Sequence, residues 1–353
     1  MRTVITKSIL LLGRYAVLPI AALGAALFLA WLVALDFFPL AAVIAAPVIL
    51  PIATGAVALS IGLLRPIRRT RPRNALDESA APGLWTLWNE FDRVTPRARR
   101  TLTIAPALNA SIGERRGYFG LAPRHLDMRV GLALLLVLDE RAVRAVVAHE
   151  VAHARLQHTT GGANLHEFIV AAGNLFDHLD PERTITGHIA RFLLQSLLKR
   201  VTAEYRLISR RNELAADREA GEWAGSHDVV HALVLSAVAA AGMKELIMDP
   251  LEKELLGAIR APTPPLQRVI DRLDAIRAHP ADSAQSPERD DPESHHPPLH
   301  ERLANLGFAA VPPVEPPQMS AAESLLSAAT LKELLTDFNE RWRRSADAAI
   351  GLH

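Results

Sequence analysis

The chain of 353 residues contains no cysteine, which excludes disulfides, thiolate metal sites and cysteine nucleophiles together. That absence suits a reducing compartment without requiring one. Net charge is also nearly absent: 39 basic against 38 acidic residues leave +1, so no bulk attraction to nucleic acid is expected. No internal repeat of solenoid period is present. Strands and helices do not alternate along the chain, which argues against a dinucleotide-binding sheet.

Charge is missing most conspicuously between Tyr15 and Leu64, where Asp36 is the sole acid and sits beside Pro39 in a short break. Two apolar runs, 15–35 and 39–64, are each near the ~20 residues that cross a hydrocarbon core. They predict a membrane hairpin, because a backbone in lipid must satisfy its own hydrogen bonds along a full helix. A cleaved secretory signal would show one short apolar core, whereas here a second run follows at once. Pro47 and Pro51 in the second run are tolerated in such helices. Arg2, Lys7 and Arg14 precede the first run, and Arg65, Arg68, Arg69, Arg71 and Arg73 follow the second. Both flanks are therefore basic and the turn is not, which predicts two spans in the cell membrane with the rest of the chain on the cytoplasmic side.

The expected organisation is a transmembrane hairpin (1–64), a basic linker (65–80), a catalytic domain (81–308) with a polar mobile loop at 278–294, and a proline-rich linker with a C-terminal helix (309–353). Gly83 to Val94 has an apolar helical face. Residues 101–104, 117–121 and 126–130 read as short strands, and from Gly131 onward helices dominate, at about 142–157, 164–179, 184–224, 227–258 and 320–347. The fold class is thus α+β and mainly helical, a membrane hairpin followed by a zincin-like domain with a small β-sheet. The intervals 165–179 and 185–198 are too short and too charged to span, and are expected to pack as core, with docking on the membrane surface as amphipathic helices the alternative.

The chemistry centres on His149-Glu150-Val151-Ala152-His153. On a helix, residues four apart share a face, so both imidazoles can reach one metal ion. Glu150 is rotated off that pair and can approach a water at the metal without being a ligand. The lead-in Arg141–Ala148 is strongly helix-forming. A catalytic zinc needs a third protein ligand and an open position. No glycine lies between His153 and His158, so the extended metzincin pattern does not apply, and His158 is expected in the core or behind a ligand. Glu213 and Asp217 lie on one helical face with alanines between them. Glu213 can serve as ligand with Asp217 accepting a histidine N–H. On spacing alone the two acids read equally well as a solvated stripe paired with Arg210 or Arg218.

These segments resemble the HtpX-type membrane zinc endopeptidases, a family that includes the prenyl-protein endopeptidases. The likeness is carried by Val130-Gly131-Leu132, Asp139–Val143, Ala148–His153, Ser209–Asp217, Asn109-Ala110 and His296–Leu303, in that family's order. The resemblance implies one zinc per chain held by His149, His153 and Glu213, with Glu150 as base and Asp217 holding a ligand histidine. It further implies His296 at the oxyanion, Arg302 bracing the ligand helix and Asn109 in the substrate groove. Ser111 departs from the family's usual phenylalanine, and the family's two further membrane segments between the ligand helices are not matched. The implied partners are polypeptides, membrane proteins foremost, and the lipid bilayer. A catalytically idle zinc scaffold recruiting a partner through its C-terminal helix is the rival reading, and Glu150 speaks against it. A secreted soluble peptidase would require loss of the N-terminal segment.

Overall fold

The computed structural model describes residues 4–64, 74–115, 125–179, 185–280 and 296–351. In chain order the first elements are α1 (Val4–Leu12), α2 (Leu18–Phe37), α3 (Pro39–Leu64), β1 (Ala75–Leu76) and α4 (Pro82–Phe91). Then come β2 (Arg100–Ala105), β3 (Ala110–Arg115), β4 (His125–Gly131), α5 (Leu132–Val137), α6 (Glu140–Thr160), α7 (Gly162–Leu179) and α8 (Ile185–Ala220). The chain closes with α9 (Ser226–Met243), α10 (Asp249–Leu256), α11 (Pro265–Asp271), α12 (Leu273–Arg277), α13 (Leu299–Asn305), α14 (Ala321–Leu325) and α15 (Ala328–Ile350). The protein is mainly helical α+β with one small sheet. Its described residues group into two compact units, one within 1–69 and 157–209, the other within 70–156 and 210–353.

In the first unit, α2 and α3 form the apolar hairpin, and Phe38 alone is non-helical between them. Trp31 Nε1 donates to the Ala42 carbonyl at 3.0 Å across the turn. Pro39–Leu64 is long and apolar enough to cross a membrane, as is the pair Val4–Val17 and Ala21–Phe37 taken together. The continuous helix Leu194–Leu256 also passes on length and composition, with half of its apolar window buried in protein.

The described parts of 165–198 contribute buried apolar side chains to the first unit. Leu165, Phe168, Ala171, Ala172 and Leu194 are buried together with Ile9, Val17 and Leu63. The boundary at 69/70 falls inside the expected linker 65–80, and residues 157–209 group with the N-terminal segment. Arg14, one of the basic residues ahead of the first apolar run, is buried, with Nε 3.1 Å from Glu167 Oε1.

The second unit is organised on a four-stranded sheet of order β1-β2-β4-β3. β2 pairs parallel with β4, and β3 pairs antiparallel with β4 in the register Ala110↔Val130 to Arg115↔His125. β3 is thus an edge. Its sequence, Ala-Ser-Ile-Gly-Glu-Arg, has little strand propensity, and its pairing with β4 makes it a strand. The strand expected at 117–121 and most of the loop expected at 278–294 lie outside the described residues.

β4 enters α5 through Gly131, where a Cβ would stand 2.0 Å from the Ala107 carbonyl oxygen, so only glycine fits that turn. Leu132 to Leu138 are all buried and carry the chain to α6. The C-terminal segment closes the same core: Ala321 N–H donates to Leu138 O at 2.8 Å and Ser327 N–H to Ala80 O at 3.1 Å. Buried Arg277 donates to the carbonyls of Leu136, Val137 and Pro317. The stretch expected as one helix at about 320–347 is instead two helices, α14 and α15, packed within this unit.

Asp139 caps α6. Its Oδ1 accepts Ala142 N–H at 2.7 Å, and Oδ2 lies 3.0 Å from His231 Nε2. Burial pushes the Asp139 carboxyl up, but the His231 contact and the Ala142 N–H together hold it below its ordinary value. A lowered folded pKa contributes stability above the unfolded value, and that contribution is lost as pH falls through the folded one. Asp139→Ala is expected to cost about 1–2 kcal/mol at neutral pH. The gap to wild type should shrink below about pH 4, where the unfolded carboxyl is protonated. Chemical denaturation of the full chain in detergent at both pH values checks this, and a pH-independent gap would refute the assignment.

Candidate metal centre

α6 supplies two imidazoles because its buried face is built from small side chains. Ala142, Ala145, Ala148 and Ala152 are buried and let neighbouring elements approach closely. His149 and His153, one turn apart, come out with ring centroids 5.2 Å from each other and planes at 72°. α8 brings the facing carboxylate across another alanine surface, with Ala216 fully buried beside Asp217. Glu213 is 2% exposed and Asp217 0%, which removes the reading of a solvated acidic stripe.

Ligand atoms of His149, His153 and Glu213 all lie within 4.8 Å of one another, a group able to hold a metal ion. His153 Nε2 is 2.6 Å from Glu213 Oε1, and His149 Nε2 is 3.6 Å from Glu213 Oε2. Donors about 2.1 Å from a tetrahedral ion stand about 3.4 Å apart, so the second distance already matches and the first is short by under about 1 Å. Glu213 Oε2 is buried without a hydrogen-bond partner. Arg302 Nη2 is 3.6 Å from it, beyond hydrogen-bond reach, so a closer cation would still offset its burial. Two neutral imidazoles and a carboxylate are the donor set of catalytic zinc, and the residues fit that ion.

Behind the donors stands a second charge system. Asp217 Oδ1 is 3.0 Å from His149 Nδ1 and 2.6 Å from Arg302 Nη2, while Asp217 Oδ2 accepts from Arg302 Nε at 2.8 Å. This bidentate pairing fixes the carboxylate plane. Burial pushes the Asp217 carboxyl up, and Arg302 followed by His149 more than reverses it. Burial would likewise depress His149, but Asp217 and Glu213 leave it pushed up to about 9. The same carboxylate would strengthen the imidazole as a metal ligand. Glu213 is raised by burial and brought far below the usual carboxylate range by His149, His153 and His296.

Glu150 is not in the ligand cluster. Its carboxyl is raised, by burial first, with the two histidines opposing. It accepts the backbone N–H of Ile112, so the edge strand β3 passes beside it. His296 Nδ1 is 2.9 Å from Glu213 Oε1, with its side chain 68% exposed, so it reaches the centre from the open side. Asn109 is exposed at the head of β3, and its carbonyl accepts Gly131 N–H at 2.8 Å. The side chain of His158 is outside those described.

One contributor escaped sequence reasoning. Asn305 Nδ2 donates to the Leu214 carbonyl at 2.7 Å, next to Glu213. Its spacing of three from Arg302 on α13 was the available signal, since both then face α8. Further along the helices, Arg155 lies over the Trp223 ring at 5.2 Å and Arg144 over Phe91 at 5.2 Å, with Phe91 and Trp223 stacked at 6.2 Å. That stack ties α4, α6 and the turn after α8 together.

The model of peptidase family M48 matches residues 117–308, more than half of the chain. The chain belongs to this family. Its matched region contains both ligand helices and α13, and begins after β3. The crystal structure of S. mikatae Ste24p is similar at 16% identity and a TM-score of 0.36, covering 83% of this chain; the present chain spans 64% of that one. No curated protein sequence matches. The chain thus combines a peptidase-family region with a hairpin apolar enough to cross a membrane and a His–His–Glu cluster able to hold a metal ion.

Arg302→Met leaves Asp217 buried without its bidentate partner, and is expected to cost about 3–5 kcal/mol in chemical denaturation of the full chain. Asn305→Asp keeps the shape but turns a donor into an acceptor facing Leu214 O. A several-fold loss of metal affinity is expected for it, read by chelator competition. Unchanged stability in the first and unchanged affinity in the second would refute the clamp.

Proposed function

We propose that this protein is a membrane-anchored zinc endopeptidase, with one zinc per chain, that hydrolyses peptide bonds in membrane proteins as part of their quality control. The observation that carries the reading is a buried His149–His153–Glu213 cluster with a separate carboxyl, Glu150, on the adjoining helical position. A cation used only for structure has no need of that carboxyl.

His149, His153 and Glu213 would hold the ion, and Asp217 would orient His149. When bound, the ion supplies Lewis acidity to the scissile carbonyl and acidifies a water beside it. Glu150 removes a proton from that water as its oxygen attacks the carbonyl carbon. The carbon–nitrogen bond then breaks, and Glu150 returns the proton to the leaving nitrogen. His296, whose Nδ1 is 2.9 Å from Glu213 Oε1, would donate to the developing oxyanion. An extended substrate strand adding to the free edge of β3 would lie beside Glu150, because Ile112 already does. Asn109 opens that edge.

The basic flanks of the hairpin support two spans with the catalytic unit on the cytoplasmic side. Substrates are then those whose cytoplasmic ends reach the cleft, which supports the quality-control role. Phe338 of α15 is buried in the core of the second unit, which weighs against the scaffold reading.

Purified full-length protein in detergent is expected to cleave an unfolded reporter. Glu150→Gln should lower the rate by about 10²–10⁴-fold and keep its metal. Glu213→Ala should lose stoichiometric zinc, measured by metal analysis. Equal cleavage by wild type and Glu150→Gln would end the proposal.

A further inference from the structure

The first apolar segment makes one long span only if Val4–Val17 and Ala21–Phe37 are counted together, and they are bent by 50°. α2 alone has 20 residues. At 1.5 Å per residue that is about 30 Å, the full thickness of a hydrocarbon core. Val4–Val17 is therefore surplus to the crossing, and Pro19 in the first turn of α2 marks where the crossing helix starts.

The break is built from polar groups. Gly13 ends α1 at φ +58°. The Leu10 and Leu11 carbonyls accept Asn164 Nδ2 at 2.8 and 3.1 Å. Gly161 lies so close that a Cβ would stand 2.8 Å from the Leu10 oxygen. Arg14 follows, buried against Glu167. An ion pair and diverted backbone carbonyls are costly at the centre of a bilayer and cheap at headgroup level. α1 has two unlike sides. Thr6 and Ile9 are buried, whereas Val4, Ile5, Leu11 and Leu12 are 80%, 56%, 76% and 52% exposed. That outer side is continuous in sequence with a spanning helix, so lipid is its natural cover.

We propose that Val4–Val17 is an interfacial helix and not part of the first span. Its apolar side is immersed at the headgroup–acyl boundary of a lipid bilayer. Asn164 and Glu167 fasten α7, the connector between the two ligand helices, to that same level. The inference is independent of peptidase activity.

The absence of cysteine makes single-site probes direct. Leu11→Cys and, as a mid-span reference, Leu29→Cys are labelled with bimane in the full-length chain. The proteins are placed in phosphatidylcholine vesicles carrying nitroxides at acyl carbon 5 or carbon 12. The probe at 11 is expected to be quenched at least twofold more by the shallow nitroxide, and the probe at 29 more by the deep one. Deeper quenching at 11 would mean a continuous span. Quenching by aqueous iodide alone would mean a face in water, and protection from every quencher would mean cover by protein, such as a second copy. Any of these overturns the proposal. Asn164→Ala combined with Glu167→Gln should reduce the depth selectivity at 11 by at least twofold and leave that at 29 unchanged. Unaltered selectivity at 11 would overturn the role of the clamp.

Discussion

Two carboxylates one turn apart, buried at 2% and 0% exposure on α8, impose the main constraint on the catalytic unit. A buried charge without a partner is far more expensive than a missing surface ion pair, so the surrounding elements must deliver cations to it. They do so from separate parts of the chain. α6 offers His149 and His153, α13 offers Arg302, and the residues just before α13 offer His296. Alanines at the contact surfaces of α6 and α8 follow from the same requirement, because larger side chains would hold the charges too far apart to balance. The metal ligands and the scaffold behind them are one electrostatic system, with Asp217 shared between His149 and Arg302.

Much of this was legible in the residues alone, for identifiable reasons. The i and i+4 histidines need only local geometry, and so does the break at Phe38-Pro39. Glu213 and Asp217 were legible as a shared face but not as buried, because burial is decided by what packs on α8. β3 was missed because its own residues barely favour a strand, and its edge position comes from pairing to β4. Asn305 was missed because a side chain that braces a backbone carbonyl leaves no compositional trace. Arg14 was legible as a basic flank of the first apolar run, but its ion pair was not, because the partner Glu167 lies far along the chain.

The edge strand and the histidine helix are linked by a hydrogen bond from Ile112 N–H to Glu150. Placing a carboxyl against the edge of a sheet does two things together. It partly satisfies a group that burial would otherwise neutralise, and it puts that group beside the backbone groups on which an extended chain can pair. Gly131, by admitting the 107–109 turn against β4, sets where that edge begins.

Residues 320–350 cover α4 and α5 and bond to Leu138 and Ala80, so the earliest-made part of the catalytic unit waits for the last-made part. During synthesis, the histidine helix leaves the ribosome long before its core can be sealed. A nascent chain that has not yet added α14 and α15 would therefore lack a sealed core beneath its histidine helix.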